Sequence, residues 1–195
     1  MTNSSIDFAR ERQERWLKHY YFVRAGFSAV WVAAAVVAEQ SSPALAAVLL
    51  VVYPAWDAAA NCVDASRSGG LIRNRTQAVN FVISVLTTLA VVVALQMNMD
   101  RVLAVFGAWA VLSGLLQLAT AIRRWKSFGA QWAMVLSGAQ SAVAGVLFIV
   151  RSQSSESPSI ASVTGYAALG AVYFLVSAVW LAVTDLRRKA AIRAS

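Results

Sequence analysis

Asp57, Asn61 and Asp64 stand at successive intervals of four and three within one apolar stretch, a spacing that puts all three on one face of a helix. Two carboxylates and an amide arranged this way can hold a cation, carry a proton or pair with a buried base. Arg24 and Asn80, in the flanking apolar stretches, are the natural partners. An ionisable side chain at the centre of a bilayer costs at least about 2.5 to 3.5 kcal/mol on insertion scales, so each needs a reason to be there. If the helix carrying Asp64 reaches the interface at that residue, Asp57 lies about 10 Å below the surface and Arg24 about 6 Å, with Asn80 at a comparable depth. Two readings stand side by side. Arg24 and Asp57 form a structural pair locking the first two helices, with Asn61 and Asn80 bonding across helices; or Asp57 lines a small vestibule facing the cytoplasm and binds a proton or cation. Arg24 could also snorkel to the headgroups, which the shorter Asp57 could not easily do. Pro54, one turn before Asp57, should kink its helix or free a carbonyl nearby.

Other chemistry finds less support. A row of Asp and Asn suggests a metal-dependent membrane phosphotransferase, but Mg²⁺ usually needs carboxylates together with substrate phosphates. Enzymes of the CDP-alcohol phosphotransferase type carry further Asp and Gly at set spacings that this chain lacks. Cys62 reads as a small apolar filler, since His19 is the sole histidine and lies far from it in sequence. One Cys and one His give neither a disulfide nor a zinc site. No enzyme, metal or cofactor is expected. Gln117 and Gln140, with Ser113, Ser137 and Ser141 nearby, read as interhelical glue, helped by the small residues Gly138, Ala142 and Gly145.

The elements that must position these residues follow from composition. The chain has 195 residues, 59% hydrophobic and only 13% charged, against about 25% charged in a soluble domain. Six apolar runs approach the roughly 20 residues a spanning helix needs: about 20–38, 43–62, 78–97, 102–122, 131–150 and 163–184. Residues 1–19 form a cytoplasmic tail or interfacial helix, with Phe8 and Trp16 toward lipid. Residues 20–184 form the transmembrane domain, and 185–195 a basic tail. The fold expected is all-α, a polytopic membrane protein of three consecutive hairpins. The N-terminus is not a signal peptide, because no cleavage site follows a short apolar core.

Basic residues set the orientation. Arg10, Arg12, Arg15, Lys18, Arg67, Arg73, Arg75, Arg123, Arg124, Lys126, Arg187, Arg188, Lys189 and Arg193 fall on one side, and only Arg101 and Arg151 on the other. The positive-inside rule then places both termini in the cytoplasm. The formal charge of +8 is thus an orientation signal and not a nucleic-acid surface. The expected partner is the lipid bilayer, with a homo-oligomer left open.

The chain also repeats. Without gaps, Val52–Trp56 (VYPAW) aligns with Val105–Trp109 (VFGAW), and Ser113–Arg124 (SGLLQLATAIRR) with Ser177–Arg188 (SAVWLAVTDLRR). Three hairpins of parallel topology would be related by an axis along the membrane normal. In this register Ala110 is the counterpart of Asp57, so a symmetric pore would not use the acid in every repeat. Gly107–Trp125 (GAWAVLSGLLQLATAIRRW), a short basic turn and Gln131–Gly145 (QWAMVLSGAQSAVAG) resemble the HdeD-like acid-resistance membrane proteins, which are built from short two-helix membrane repeats. The resemblance covers roughly residues 101–189. It implies a bacterial inner-membrane protein with a stress role, and no catalytic residues to carry over.

Topology is directly measurable. Reporter fusions after Ser66, Trp125 and Ser195 should report cytoplasm, and fusions after Ser42, Met99 and Ser154 the outside. A cytoplasmic signal at Ser154 would remove the third hairpin.

Overall fold

A single segment in lipid can satisfy its backbone only by coiling on itself, and each apolar run does so. The computed structural model describes residues 3–67, 70–124, 131–155 and 158–194, with side chains other than those of 3–14, 123–124, 131, 133–134, 188–189 and 191–194. Among the described residues are six helices and no strand: α1 (Asn3–Ser41), α2 (Pro43–Arg67), α3 (Arg75–Leu95), α4 (Met99–Arg124), α5 (Gln131–Arg151) and α6 (Ile160–Ala194). Five are long and apolar enough to cross a membrane; in α5 the apolar stretch is the shorter Val135–Arg151. The chain is a multi-pass membrane protein. Its outward faces carry exposed Val30, Leu86, Leu89, Val143 and Val172, side chains that cost nothing against lipid tails.

Both tails continue the helices they adjoin. Helix α1 runs from Asn3 through the first apolar run without a break, about 58 Å at the helical rise, and α6 likewise continues to Ala194. Trp16 does not turn to lipid: its Nε1 donates to Asp64 Oδ1 at 3.2 Å. A buried carboxylate offers the indole N–H more than a headgroup region does. The side chain of Phe8 lies outside the described residues, as do those of Arg10, Arg12, Arg123, Arg124, Lys126, Arg188, Lys189 and Arg193 and the whole of Trp125.

Contacts show which ends meet. Trp16 and Gln77 both reach Asp64, and Lys18 pairs with Asp185 at 3.3 Å. The early part of α1, the start of α3 and the ends of α2 and α6 therefore share one end, which also carries Arg15, Lys18, Arg67, Arg73, Arg75 and Arg187. At the opposite end Glu39 accepts the backbone N–H of Ala161. The closest packed neighbours are α4 with α5, α1 with α6 and α2 with α3. Intimacy thus runs across the intervals between the expected hairpins and between first and last helix, closing the bundle into a ring. Small residues explain the α4–α5 contact. Gly107 faces Gly145 and Gly114 faces Gly138, so closely that a Cβ on Gly114 would lie 2.5 Å from the Gly138 carbonyl oxygen. Without a hydrophobic force between helices in lipid, such backbone approach is a main source of association.

The expected consequence is that Gly114→Val, which would push against the Gly138 carbonyl oxygen, the Ala142 nitrogen and Ser141 Cβ, loses about 1 to 3 kcal/mol of stability. Gly26→Ala, with nothing within 4 Å of the added Cβ, should be neutral. Unfolding in mixed micelles measures both, and equal losses would show that the α4–α5 contact is not the tight one.

Candidate functional site

Pro54 lies buried inside α2, which continues through it. A proline at this position cannot donate to the Leu50 carbonyl; one residue away, Trp31 Nε1 donates to the Leu49 carbonyl at 2.8 Å. Three residues further on, Asp57 is only 7% exposed. Its Oδ1 accepts from Arg24 Nη2, and its Oδ2 accepts from Asn61 Nδ2 at 2.9 Å and Ser84 Oγ at 2.8 Å. Arg24 spends Nη1 on the Tyr20 hydroxyl at 2.9 Å and lays its guanidinium 4.4 Å from the centre of the Phe174 ring, a cation–π contact strengthened by exclusion of water. Asn80 Nδ2 reaches toward Asn61 Oδ1 at 3.4 Å. Asp64, nearer the basic end, is held by Trp16 and, at 3.4 Å, Gln77. The five residues Arg24, Asp57, Asn61, Asp64 and Asn80 therefore come together on α1, α2 and α3.

They surround a cavity of about 170 Å³ to which all six helices contribute, room for on the order of ten waters. It reaches Leu17, Thr76 and Thr120 toward the basic end. Gln117 and Gln140 line it with Ser113 and Ser137, and neither glutamine makes a hydrogen bond among the described residues. Their expected place between helices is not what the structure gives: they face the cavity. Among the described residues no group of three His, Cys, Asp or Glu side chains is placed to hold a metal.

The cavity ends on aromatic rings. Tyr53, Trp109 and Tyr166 meet there, with Trp109 edge-on to the other two at 5.8 and 6.5 Å. Beyond them Trp31, Leu103 and Phe106 are at most 2% exposed. Each ring at this floor has a serine beside it from the preceding helix: the Trp109 indole donates to Ser84 at 3.1 Å, the Tyr166 and Ser141 hydroxyls lie 3.0 Å apart, and Ser28 stands next to Tyr53. The sequence separation is 25 residues in all three pairs. The pairs recur at intervals of 56 and 57 residues, which corrects the register read from the gapless alignments. Tyr53, not Trp56, corresponds to Trp109, and the counterparts of Asp57 become Ser113 and Gly170. All three line the cavity. So do Arg24, Asn80 and Ser137, related by the same intervals. A gapless local match favoured shared Trp and Ala letters over the spacing between partners on different helices.

The family model for a short repeat of unknown function, DUF308, matches residues 81–150. That DUF308 segment holds most of α3, all of α4 and nearly all of α5. It therefore contains both glycine contacts and the Ser84–Trp109 bond. No curated protein and no solved structure matches the chain.

Sequence reasoning missed Ser84, Trp109, Tyr53 and Tyr166. A signal for Ser84 existed, since it follows Asn80 by four on α3 and so shares its face.

The Arg24–Asp57 pair is testable by a double-mutant cycle. With side chains 14% and 10% exposed, Arg24→Leu alone should lose up to about 3 to 5 kcal/mol by leaving the carboxylate unpaired, and Arg24→Leu with Asp57→Leu should recover part of it. Coupling above about 0.5 kcal/mol is expected for residues in contact; additive losses would mean the pair contributes nothing as a pair.

Proposed function

We propose that this chain is a non-enzymatic, HdeD-like protein of a bacterial inner membrane with both termini in the cytoplasm, and that its central cavity is a vestibule for a small solute. In this reading α5 also crosses, giving six spans as three hairpins repeated about an axis along the membrane normal. The three Ser–aromatic pairs support the repeat, because each joins the two helices of one such hairpin. The DUF308 match supports the HdeD-like assignment, and with it a part in envelope stress or acid tolerance. The basic end supports the orientation.

The observation that carries the vestibule is a single one: the cavity reaches Arg24 and Asp57 and takes its wall from every helix. A purely structural ion pair would be packed dry. Polar groups converging on a concave site between helices are the usual form of a binding site, and intramembrane ionisable residues facing a cavity commonly mark a solute path. The pair also locks α1 to α2, and the two roles are compatible.

Two measurements test the reading. In a Cys62→Ser background, Gln117→Cys should react with a membrane-impermeant thiol reagent from the cytoplasmic side, whereas Leu103→Cys beyond the floor should not. Proteoliposome flux, measured with protons, cations and small solutes in turn, should fall in Asp57→Asn for whichever of them the vestibule admits. An unreactive Gln117→Cys together with unchanged flux would reduce the cluster to a structural lock.

A further inference from the structure

We infer that the vestibule takes a small uncharged solute bearing both hydrogen-bond donors and acceptors, an amide or polyol, and excludes ions. The inference rests on the vestibule reading and names the chemistry of its occupant. Charge in the depth of the cavity is already balanced: Asp57 is satisfied by Arg24, Asn61 and Ser84. An entering cation finds no unpaired carboxylate at that level, and an entering anion passes Asp64 and then meets Asp57. Either would bring a new charge out of water without a counter-charge, which costs several kcal/mol even after relaxation.

What the cavity offers instead is unmatched hydrogen bonding. Among the described residues four side chains that line it each carry a buried atom with no partner: Arg24 Nε, Trp56 Nε1, Asn80 Oδ1 and Ser113 Oγ. The first two only donate, the third only accepts and the hydroxyl does both. Buried polar groups are rarely left unpaired. One solute that accepts from the guanidinium and indole and donates to Asn80 would satisfy them together. Arg24 and Asn80 are related by the 56-residue interval, and Ser113 stands in the same relation to Asp57, which Arg24 touches, so three of the four lie at one level of the bundle. At that level the third unit supplies only Ser137 and Gly170, and the space follows from their small size.

The test uses matched pairs differing in charge: urea against guanidinium, and acetamide against acetate, followed by stopped-flow light scattering in proteoliposomes of the full chain at neutral pH against empty vesicles. Urea and acetamide should enter several-fold faster with protein present, and guanidinium and acetate should not. Trp56→Phe, which keeps the ring stacked on Phe27 but removes one donor, should slow the neutral solutes roughly two- to tenfold, the worth of one neutral hydrogen bond. Gly170→Leu, which fills the space without removing a polar group, should abolish the acceleration. Acceleration of an ion without its neutral partner overturns this inference and leaves the vestibule standing. Full activity in both Trp56→Phe and Gly170→Leu overturns it too. If none of the four solutes is accelerated and Gln117→Cys is unreactive, the vestibule itself falls.

Discussion

Asp57 can remain in the interior of a bilayer only while a cation stays beside it, and that demand organises the first half of the bundle. Arg24 answers it from α1, Ser84 from α3 and Asn61 from the next turn of α2. Three helices are thereby tied at one depth by groups that cannot separate without leaving a charge in a poor solvent. The arginine is itself held by Tyr20 and covered by Phe174, which brings α6 into the same arrangement. Hydrogen bonds between membrane helices are individually weak, averaging below about 1 kcal/mol. Here they share one carboxylate, so losing any of them exposes the others.

The other half of the bundle is held differently. Helices α4 and α5 touch backbone to backbone at Gly107 with Gly145 and at Gly114 with Gly138, with no ion pair between them among the described residues. Dispersion at close range replaces electrostatics. The division matters for the cavity. A wall built on glycine contacts can present Gln117 and Gln140 inward, because their amides are not needed to hold the helices together.

Much of this was legible. Helix number and approximate extent follow from apolar run length, and the nearness of Arg24 to Asp57 follows from similar depth on helices adjacent in sequence. The inward aim of Gln117 and Gln140 was not, since a polar residue in an apolar run has the same signature whether it faces a neighbour or a cavity. Nor were the closest helix pairs: short connections argue for sequential neighbours, yet α1 lies against α6, a closure that no local pattern encodes. The repeat read from shared letters has a different register from the one that the Ser and aromatic spacing supports. Conserving Ser and an aromatic ring 25 residues apart keeps a contact, not a string of letters.

The floor makes the repeat physically meaningful. One aromatic ring from each of α2, α4 and α6 meets a serine from each of α1, α3 and α5, so the three units close the cavity with one device used three times. Only the middle unit connects that device to the ion pair. Ser84 accepts from the Trp109 indole and donates to Asp57, whereas Ser28 and Ser141 serve a tyrosine each. A hydroxyl that both donates and accepts orients its proton toward the stronger acceptor, here a carboxylate. Whatever draws Asp57 away therefore removes the acceptor that fixes Ser84, and through Ser84 loosens Trp109, the ring that touches both other members of the floor. The asymmetry that places charge in one unit is thus also what gives the closed end of the cavity a physical connection to its polar level.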